Sequence, residues 1–430
     1  METIKILIKI LSVIGTIWTT LRLYRYVLIV GGFFKTKKFP KTDKRYTYGI
    51  CVSARNEANV IKNLLESINN QDYEKDKIKV FIVAHNCTDN TADIVREYSK
   101  NNNVGVDINI FEYNNSAEKT KGYALKYLFN KIKEDYGIEY CDGYLIFDAD
   151  NVLNQDYMSR MNEAFASGKK VVTSFRNSKN FFQNWISFQY GVHWMKTCLM
   201  ENRAKSYMTK FSCRIQGTGF LFANEIVKDG WNYTSLTEDR ALCTDLVVKN
   251  YEISYCDKAI FYDEQPYKLK VALRQRLRWS KGHLQSAVEN EPKLIKNMLK
   301  FDKNFLRSYD CFFLNFPSAI ESVCRKIMKW ILQIIIAIVV GKTFGVLAGI
   351  AVAILSNWGS TLLKNIAYAI YTLIYYRKRI KGFKFWNCVL GVMLYGTFEL
   401  IGRFTMYVAL FKKVDWKPIP HDQLMDVNHL

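Results

Sequence analysis

No two of the ten cysteines, at 51, 87, 141, 198, 213, 243, 256, 311, 324 and 388, stand as Cys-x-x-Cys, and no histidine falls at zinc-ligand spacing. That pattern excludes a disulfide framework and a structural zinc, and leaves reduced thiols that pack the interior or face lipid. A basic arm is also missing. The net charge is +21, yet Lys and Arg spread over the whole chain and gather beside apolar segments. The positive-inside tendency and anionic lipid headgroups account for this distribution, so no nucleic acid partner is expected. No small-residue cleavage site comes after the apolar stretch over residues 6–34, which therefore reads as an uncleaved anchor helix rather than a signal peptide. Lys9, Arg22 and Arg25 interrupt it, and each would cost roughly 2.5 to 3.5 kcal/mol at mid-bilayer. Tilt, an interfacial position or packing on other helices is expected to relieve that cost. Lys35, Lys37, Lys38, Lys41, Lys44 and Arg45 then place the domain beginning near residue 46 on the cytoplasmic side.

With 430 residues, 49% of them hydrophobic and 15% aromatic, the chain has enough material for a large core and membrane spans. Residues 46–263 contain no long apolar run. Strand-like stretches over 48–53, 79–84 and 143–147 alternate with helical ones, among them 57–69 with Val60, Ile61, Leu64, Leu65 and Ile68 inward. Such alternation predicts an α/β domain with a mostly parallel sheet, whose ligand crevice lies beyond the carboxyl ends of the strands.

Polar clusters fall at those ends. Asp148 and Asp150 are spaced to present carboxylates to one hard cation bridging two phosphates, or else make a solvated turn. Residues 54–57 after the first strand and 88–91 after the second suit a base and ribose. Helix capping by Asn56 and Asp89 is the plainer alternative. Lys119, Thr120, Lys121 and Gly122 put cations on a flexible turn. Further on, Gln216, Gly217, Thr218 and Gly219 allow a close backbone approach or a bulge. Glu238 and Asp239 supply a carboxylate fit to take a proton from a hydroxyl nucleophile, with Thr237 as a helix N-cap in the alternative.

The run Gln275, Arg276, Leu277, Arg278, Trp279 puts Gln275 and Trp279 on one helical face and Arg274 and Arg278 on the next. Arg offers a fork for phosphate oxygens and Trp a platform for a pyranose. An amphipathic helix lying on anionic lipid reads equally well from these residues alone. Two such helices are predicted, over 267–288 and 291–301. Membrane segments come next over 311–340, with a break at Arg325 and Lys326, over 343–376, and over 385–411. Arg377, Lys378, Arg379, Lys381 and Lys384 mark a cytoplasmic loop. Glu399 and Arg403, one turn apart in the last segment, are expected to pair with each other, or to line a polar channel. The side on which residues 412–430 lie depends on the number of crossings.

The succession of a basic-flanked first helix, ARNEANVI, VFIVAHNCTDNT, KGYAL, FDAD, GTGF, LTED and QRLRW, with membrane helices after it, resembles the processive membrane-bound family 2 glycosyltransferases. Cellulose, hyaluronan, chitin and poly-N-acetylglucosamine synthases belong to that group. The likeness covers about residues 46–285. It implies a cytosolic GT-A-type nucleotide-sugar domain inserted between an N-terminal membrane helix and C-terminal interfacial and transmembrane helices. The boundaries expected are 1–45 for the anchor, 46–263 for the catalytic domain, 264–308 for the interfacial helices, 309–411 for the spans and 412–430 for a tail.

Carried over residue by residue, the resemblance gives Glu57 and Asp89 to the uracil and ribose, and Lys121 and Asp148 to the nucleotide. Asp150 coordinates Mg2+ or Mn2+ on the UDP diphosphate, with Asp148 beside it. Asp239 becomes the general base, supported by Glu238, and Gln275, Arg278 and Trp279 hold the diphosphate and the acceptor's terminal sugar. The implied activity is inverting transfer from a UDP-sugar, UDP-glucose or UDP-N-acetylglucosamine, to a growing β-linked glycan. It is set in a bacterial plasma membrane and coupled to export. A single transfer to a lipid acceptor is the nearer alternative, and a noncatalytic transporter or scaffold the remote one. Two departures stand out. His85 replaces the Asp found after the second strand in many relatives, and Ser280, Lys281, Gly282 and His283 stand where a cellulose synthase gating motif would begin.

Overall fold

The computed structural model describes residues 20–315 and 337–427, with a few isolated positions outside these ranges. Lys9, Cys324 and most of the segment expected over 311–340 lie outside the described residues. The nine described cysteines are all free thiols.

After helix α1 (Tyr24–Phe34), the chain alternates β1 (Tyr48–Ala54), α2 (Ile61–Asn69), β2 (Ile78–His85), α3 (Thr91–Ser99), β3 (Asp107–Tyr113), α4 (Lys121–Asp135) and β4 (Gly143–Asp148). Then come β5 (Val152–Leu153), α5 (Tyr157–Ala166), β6 (Val171–Ser178), α6 (Trp185–Thr197), a π turn and α7 (Arg203–Met208). The sheet domain closes with β7 (Phe220–Ala223), α8 (Glu238–Val248) and β8 (Ile253–Asp263). The eight strands form one sheet in the order β3-β2-β1-β4-β7-β6-β8-β5. Pairs β1/β2, β2/β3, β1/β4 and β6/β8 are parallel, while β7 runs antiparallel to β4 and β6, and β5 to β8. Helices cover both faces, which is why β1, β2 and β4 read as continuous apolar runs rather than alternating ones. Register brings Ala54 level with Ala84 and Ser53 level with Asp148, so three loops open at one edge.

Helix α9 (Leu269–Met298) is next, then α10 (Phe305–Asn315), α11 (Val346–Tyr376) and α12 (Phe385–Phe411). The sequence predicts two interfacial helices where α9 runs unbroken through Pro292. Proline deprives the Val288 carbonyl of its helical donor, and Val288 is 80% exposed, so water can take that bond. Among the described residues, α12 is the one helix long and apolar enough to cross a membrane. It packs on α9, α11 and α6. Within it Glu399 meets His193 (3.0 Å) and Lys196 (3.4 Å) on α6. The expected partner was Arg403, whose side chain lies outside those described. Deeper ion pairs tie the helices to the sheet domain: Lys205 to Asp310 (2.6 Å), with Tyr24 donating to Asp310 (2.7 Å), and Arg203 and Arg379 to Asp257 (2.7 Å each).

Two loops differ from expectation. Helix α2 begins at Ile61 rather than at residue 57, because residues 56–58 are tied to the next loop. Asn56 takes a left-handed φ of 58° and accepts from Thr88 N, while Ala58 N donates to Asp89. The Lys121 turn is not flexible: Lys121 opens α4, and a Cβ on Gly122 would lie 2.2 Å from Tyr233 O.

Candidate active site

A cavity of about 220 Å3 opens at the carboxyl ends of β1, β2 and β4. Its floor is acidic. Asp150, 3% exposed, accepts from Glu264 N (3.0 Å) and Asn151 Nδ2 (3.2 Å). Asn151 also donates to Asp263 (2.9 Å), which takes Arg176 Nε (2.8 Å), and Arg176 lies 3.9 Å from the Trp194 ring centre. Burial lifts Asp263 to about 6 while the Arg176 guanidinium opposes the shift. Asp148 pairs with Lys121 Nζ, which also donates to Gly217 O (2.9 Å). Gly217 holds φ +83°, a value that suits glycine and lets this carbonyl approach.

Across the cavity stand α8 and α9. Glu238 and Asp239 open α8 after Thr237, which occupies the N-cap position but makes no capping bond. Burial pushes Glu238 up to about 7, with Lys121 pulling it down. Gln275, Arg278 and Trp279 share the face of α9 that lines the cavity. Burial lowers the Arg278 pKa, opposed by Glu238, Asp148 and Asp239. The Trp279 ring meets those of Trp194 (5.5 Å) and Tyr190 (5.9 Å) edge on. Arg274 does not join Arg278 as a lining residue but donates to Pro418 O (3.0 Å). Gly282 lets α9 sit directly on α8, since a Cβ there would lie 2.5 Å from Thr237 Cγ2.

Residues after α12 form a third wall. Trp416, Lys417, Pro418, Ile419 and His421 line the cavity, on the sheet-domain side of α12. Trp416 stacks under Arg55 (4.7 Å). His421 Nδ1 lies 3.0 Å from the nearer Glu57 oxygen, and its Nε2 3.9 Å from Asp150 Oδ2. Asp422 N and Gln423 N donate to Glu264, and Met425 N to Asn63. Burial lifts Glu57 to about 7, against the pull of His421. The carboxylates of Asp150 and Glu57 raise His421 to about 10, against its own burial.

Glu57, Lys121, Asp148, Asp150, Glu238, Asp239, Gln275, Arg278 and Trp279 thus converge on one cavity. Asp89 does not reach its walls. It holds Thr91 N (3.2 Å) and Ala58 N (3.2 Å), bracing the loop that carries Glu57. Asn86 ties its loop to the one after β3, receiving Asn115 N (2.8 Å), and the His85 ring hydrogen-bonds Glu118 O (2.7 Å) beside Tyr113. Sequence reasoning missed Arg176, Asp263, Glu264 and His421. Asp263 and Glu264 end β8 as Asp148 ends β4, a repeated signal. Trp416 and His421 stand in a short polar stretch directly after an apolar helix, which was the available hint.

The sheet order and the acidic edge define a GT-A-type α/β protein. It is similar in fold to a mannosyltransferase from Pyrobaculum calidifontis solved with GDP-Man and Mn2+: TM-score 0.53, 15% identity, 93% of this chain and 99% of that one covered. Residues 45–282 match the sequence profile described as "Glycosyltransferase like family 2", and the chain belongs to that family of enzymes. Over 296 residues it is 26% identical to a probable glycosyltransferase, YdaM, of Bacillus subtilis, covering 63% of this chain and 64% of that one. Over 267 residues it is 25% identical to a poly-beta-1,6-N-acetyl-D-glucosamine synthase of Staphylococcus epidermidis, covering 58% and 59%. The chain therefore spans about three fifths of the curated relatives it matches.

Proposed function

We propose that this protein is a membrane-embedded, metal-dependent inverting glycosyltransferase. It takes UDP-glucose or UDP-N-acetylglucosamine on the cytoplasmic side, extends a β-linked polysaccharide processively and passes it outward through its own helices. The observation that carries this reading is the single cavity in which the acidic floor faces Asp239, Arg278 and Trp279.

Among the described residues no three His, Cys, Asp or Glu side chains already gather as a metal cage. The donor set nonetheless fits Mg2+ or Mn2+. Asp148 and Asp150 offer hard oxygens, and His421, whose Nε2 lies 3.9 Å from Asp150 Oδ2, would add a nitrogen if the ion displaced the proton that Asp150 and Glu57 hold on its ring. A divalent cation bound there would neutralise charge on the departing UDP diphosphate. Asp239 takes the proton of the acceptor hydroxyl as that oxygen attacks the anomeric carbon from the face opposite UDP, which inverts the centre. Glu238 and Lys121 shape the field around it. Arg278 donates to the diphosphate, Gln275 orients the bound ligands, and Trp279, wedged by Trp194 and Tyr190, supports the acceptor's terminal sugar. Glu57 serves the nucleoside side, with Asp89 acting through the loop it braces.

Membrane embedding is supported by α12, by the basic flank at residues 35–45 and by α9 lying against α12. Polymer formation is supported by the synthase among the relatives. Asp239→Asn is the test. It should lower acceptor-dependent UDP release in membranes about 10^2- to 10^4-fold. Unchanged release would remove the assigned base, and short products on a gel would end the processive part of the reading.

A further inference from the structure

Arg214 and Arg240 line the catalytic cavity and also a second recess, whose other walls include Ile215, Val247, Cys311 and Leu314. Two guanidinium groups therefore stand where the cavities meet. Their counter-charge is sparse. The carboxylate nearest Arg214 is Glu201, at 3.7 Å, and the recess itself has no acidic wall residue. Among the described residues Arg240 makes no ion pair and one long bond, 3.4 Å, to Leu314 O. His283, bonded to Asn315 O (2.7 Å), is held well below its usual pKa by burial and by both arginines. Burial and Arg214 likewise depress Arg240 to about 10. Two half-buried guanidinium groups served by Glu201 and the neighbouring Asp239 leave positive charge in excess of close ion pairs, and a ligand that brings an anion would balance it.

We propose that Arg214 and Arg240 form an acceptor-side anion site, which binds a phosphate group carried by the acceptor next to the hydroxyl that Asp239 deprotonates. Arg240 directly succeeds Asp239 in the first turn of α8, so an anion held there is brought beside the base. Paired guanidinium forks match phosphate geometry, and the α8 N-terminus adds backbone dipole of the right sign. The apolar recess behind the arginines suits the alkyl part of a lipid phosphate. A water-soluble phosphate ester would present the same headgroup. The assignment rests on Asp239 being the base and concerns the acceptor that starts a glycan, since the end of a growing polysaccharide carries no phosphate.

The test uses the full-length protein in neutral detergent, saturated with UDP and Mn2+ so that the diphosphate site is filled. Binding of n-dodecyl phosphate, glycerol 3-phosphate and n-dodecanol is read by calorimetry. At least one phosphate should bind and dodecanol should not. Arg214→Gln and Arg240→Gln should each weaken phosphate binding tenfold or more, with UDP affinity within twofold of the parent, and Arg240→Lys should restore part of the loss. Tighter binding of dodecyl phosphate assigns the site to a lipid acceptor, and equal binding to a soluble ester. Absence of phosphate binding to the UDP-filled protein overturns the proposal. Equal loss of UDP affinity in the variants overturns it too, since the arginines then belong to the donor. Asp239→Asn keeps the failures apart: it should abolish transfer and leave phosphate binding intact, whereas normal transfer would sink the base and spare the anion site.

Discussion

The carboxyl ends of β4 and β8 and the helix α9 face each other across the cavity and hold their functional groups in different ways. On the sheet side each charged group has its partners: Asp150 takes Glu264 N and Asn151, Asp263 takes Arg176 and Asn151, and Asp148 takes Lys121. On α9 the Gln275 Oε1 is buried without a partner, and Arg278 makes no hydrogen bond among the described residues. A satisfied floor is rigid before any ligand arrives, whereas the helix keeps its donors and acceptors for the substrate. Damage to the floor should appear as lost stability, and damage to the helix as lost rate.

The largest effect is expected from Arg176→Ala, which strands Asp263 in the interior and should cost about 3 to 5 kcal/mol. A lowered denaturation midpoint of the detergent-solubilised protein checks it. Arg278→Ala should leave that midpoint in place while lowering kcat about 10^2- to 10^3-fold, the effect of removing one positioned donor. If the two variants exchange phenotypes, the contrast between the walls is wrong. Gly122→Ala tests how tightly the floor is built. The new Cβ must push on Tyr233 O, costing about 1 to 3 kcal/mol, and shifts Lys121 from Asp148, so stability and rate should fall together. Smallest is His421→Ala, expected to weaken Mn2+ binding about tenfold by equilibrium titration, in keeping with loss of one strong ligand or charged contact. Unchanged Mn2+ affinity would make the third wall a simple cover.

Much of this was legible in the sequence wherever one short segment carried both element and chemistry. Asp148 comes directly after a five-residue apolar run, and 3.6-residue spacing alone put Gln275 and Trp279 on one face. The features that escaped were set by distant pairing. Asp89, read from its surroundings as a helix cap and through the resemblance as a nucleoside contact, holds Thr91 N and also Ala58 N of the loop before α2, a link that local pattern does not announce. Residues 289 and 290 read as a gap between two helices, yet α9 runs through them and through Pro292, with solvent at Val288 to take the bond the proline cannot make. His421 could not be placed, since its partners Glu57 and Asp150 lie 364 and 271 positions earlier; only the folded chain brings the three together.

The wall at residues 416–423 also bears on when the site exists. These residues leave the ribosome after every other part of the cavity and come directly after α12. Contacts this distant in sequence form late in folding. A nascent chain whose sheet domain has already folded therefore has its acidic floor but an open mouth, until α12 is in place and Trp416 and His421 swing back over Arg55 and Glu57. On the proposed function, the donor site would be complete only once residues 416–423 are seated over Arg55 and Glu57.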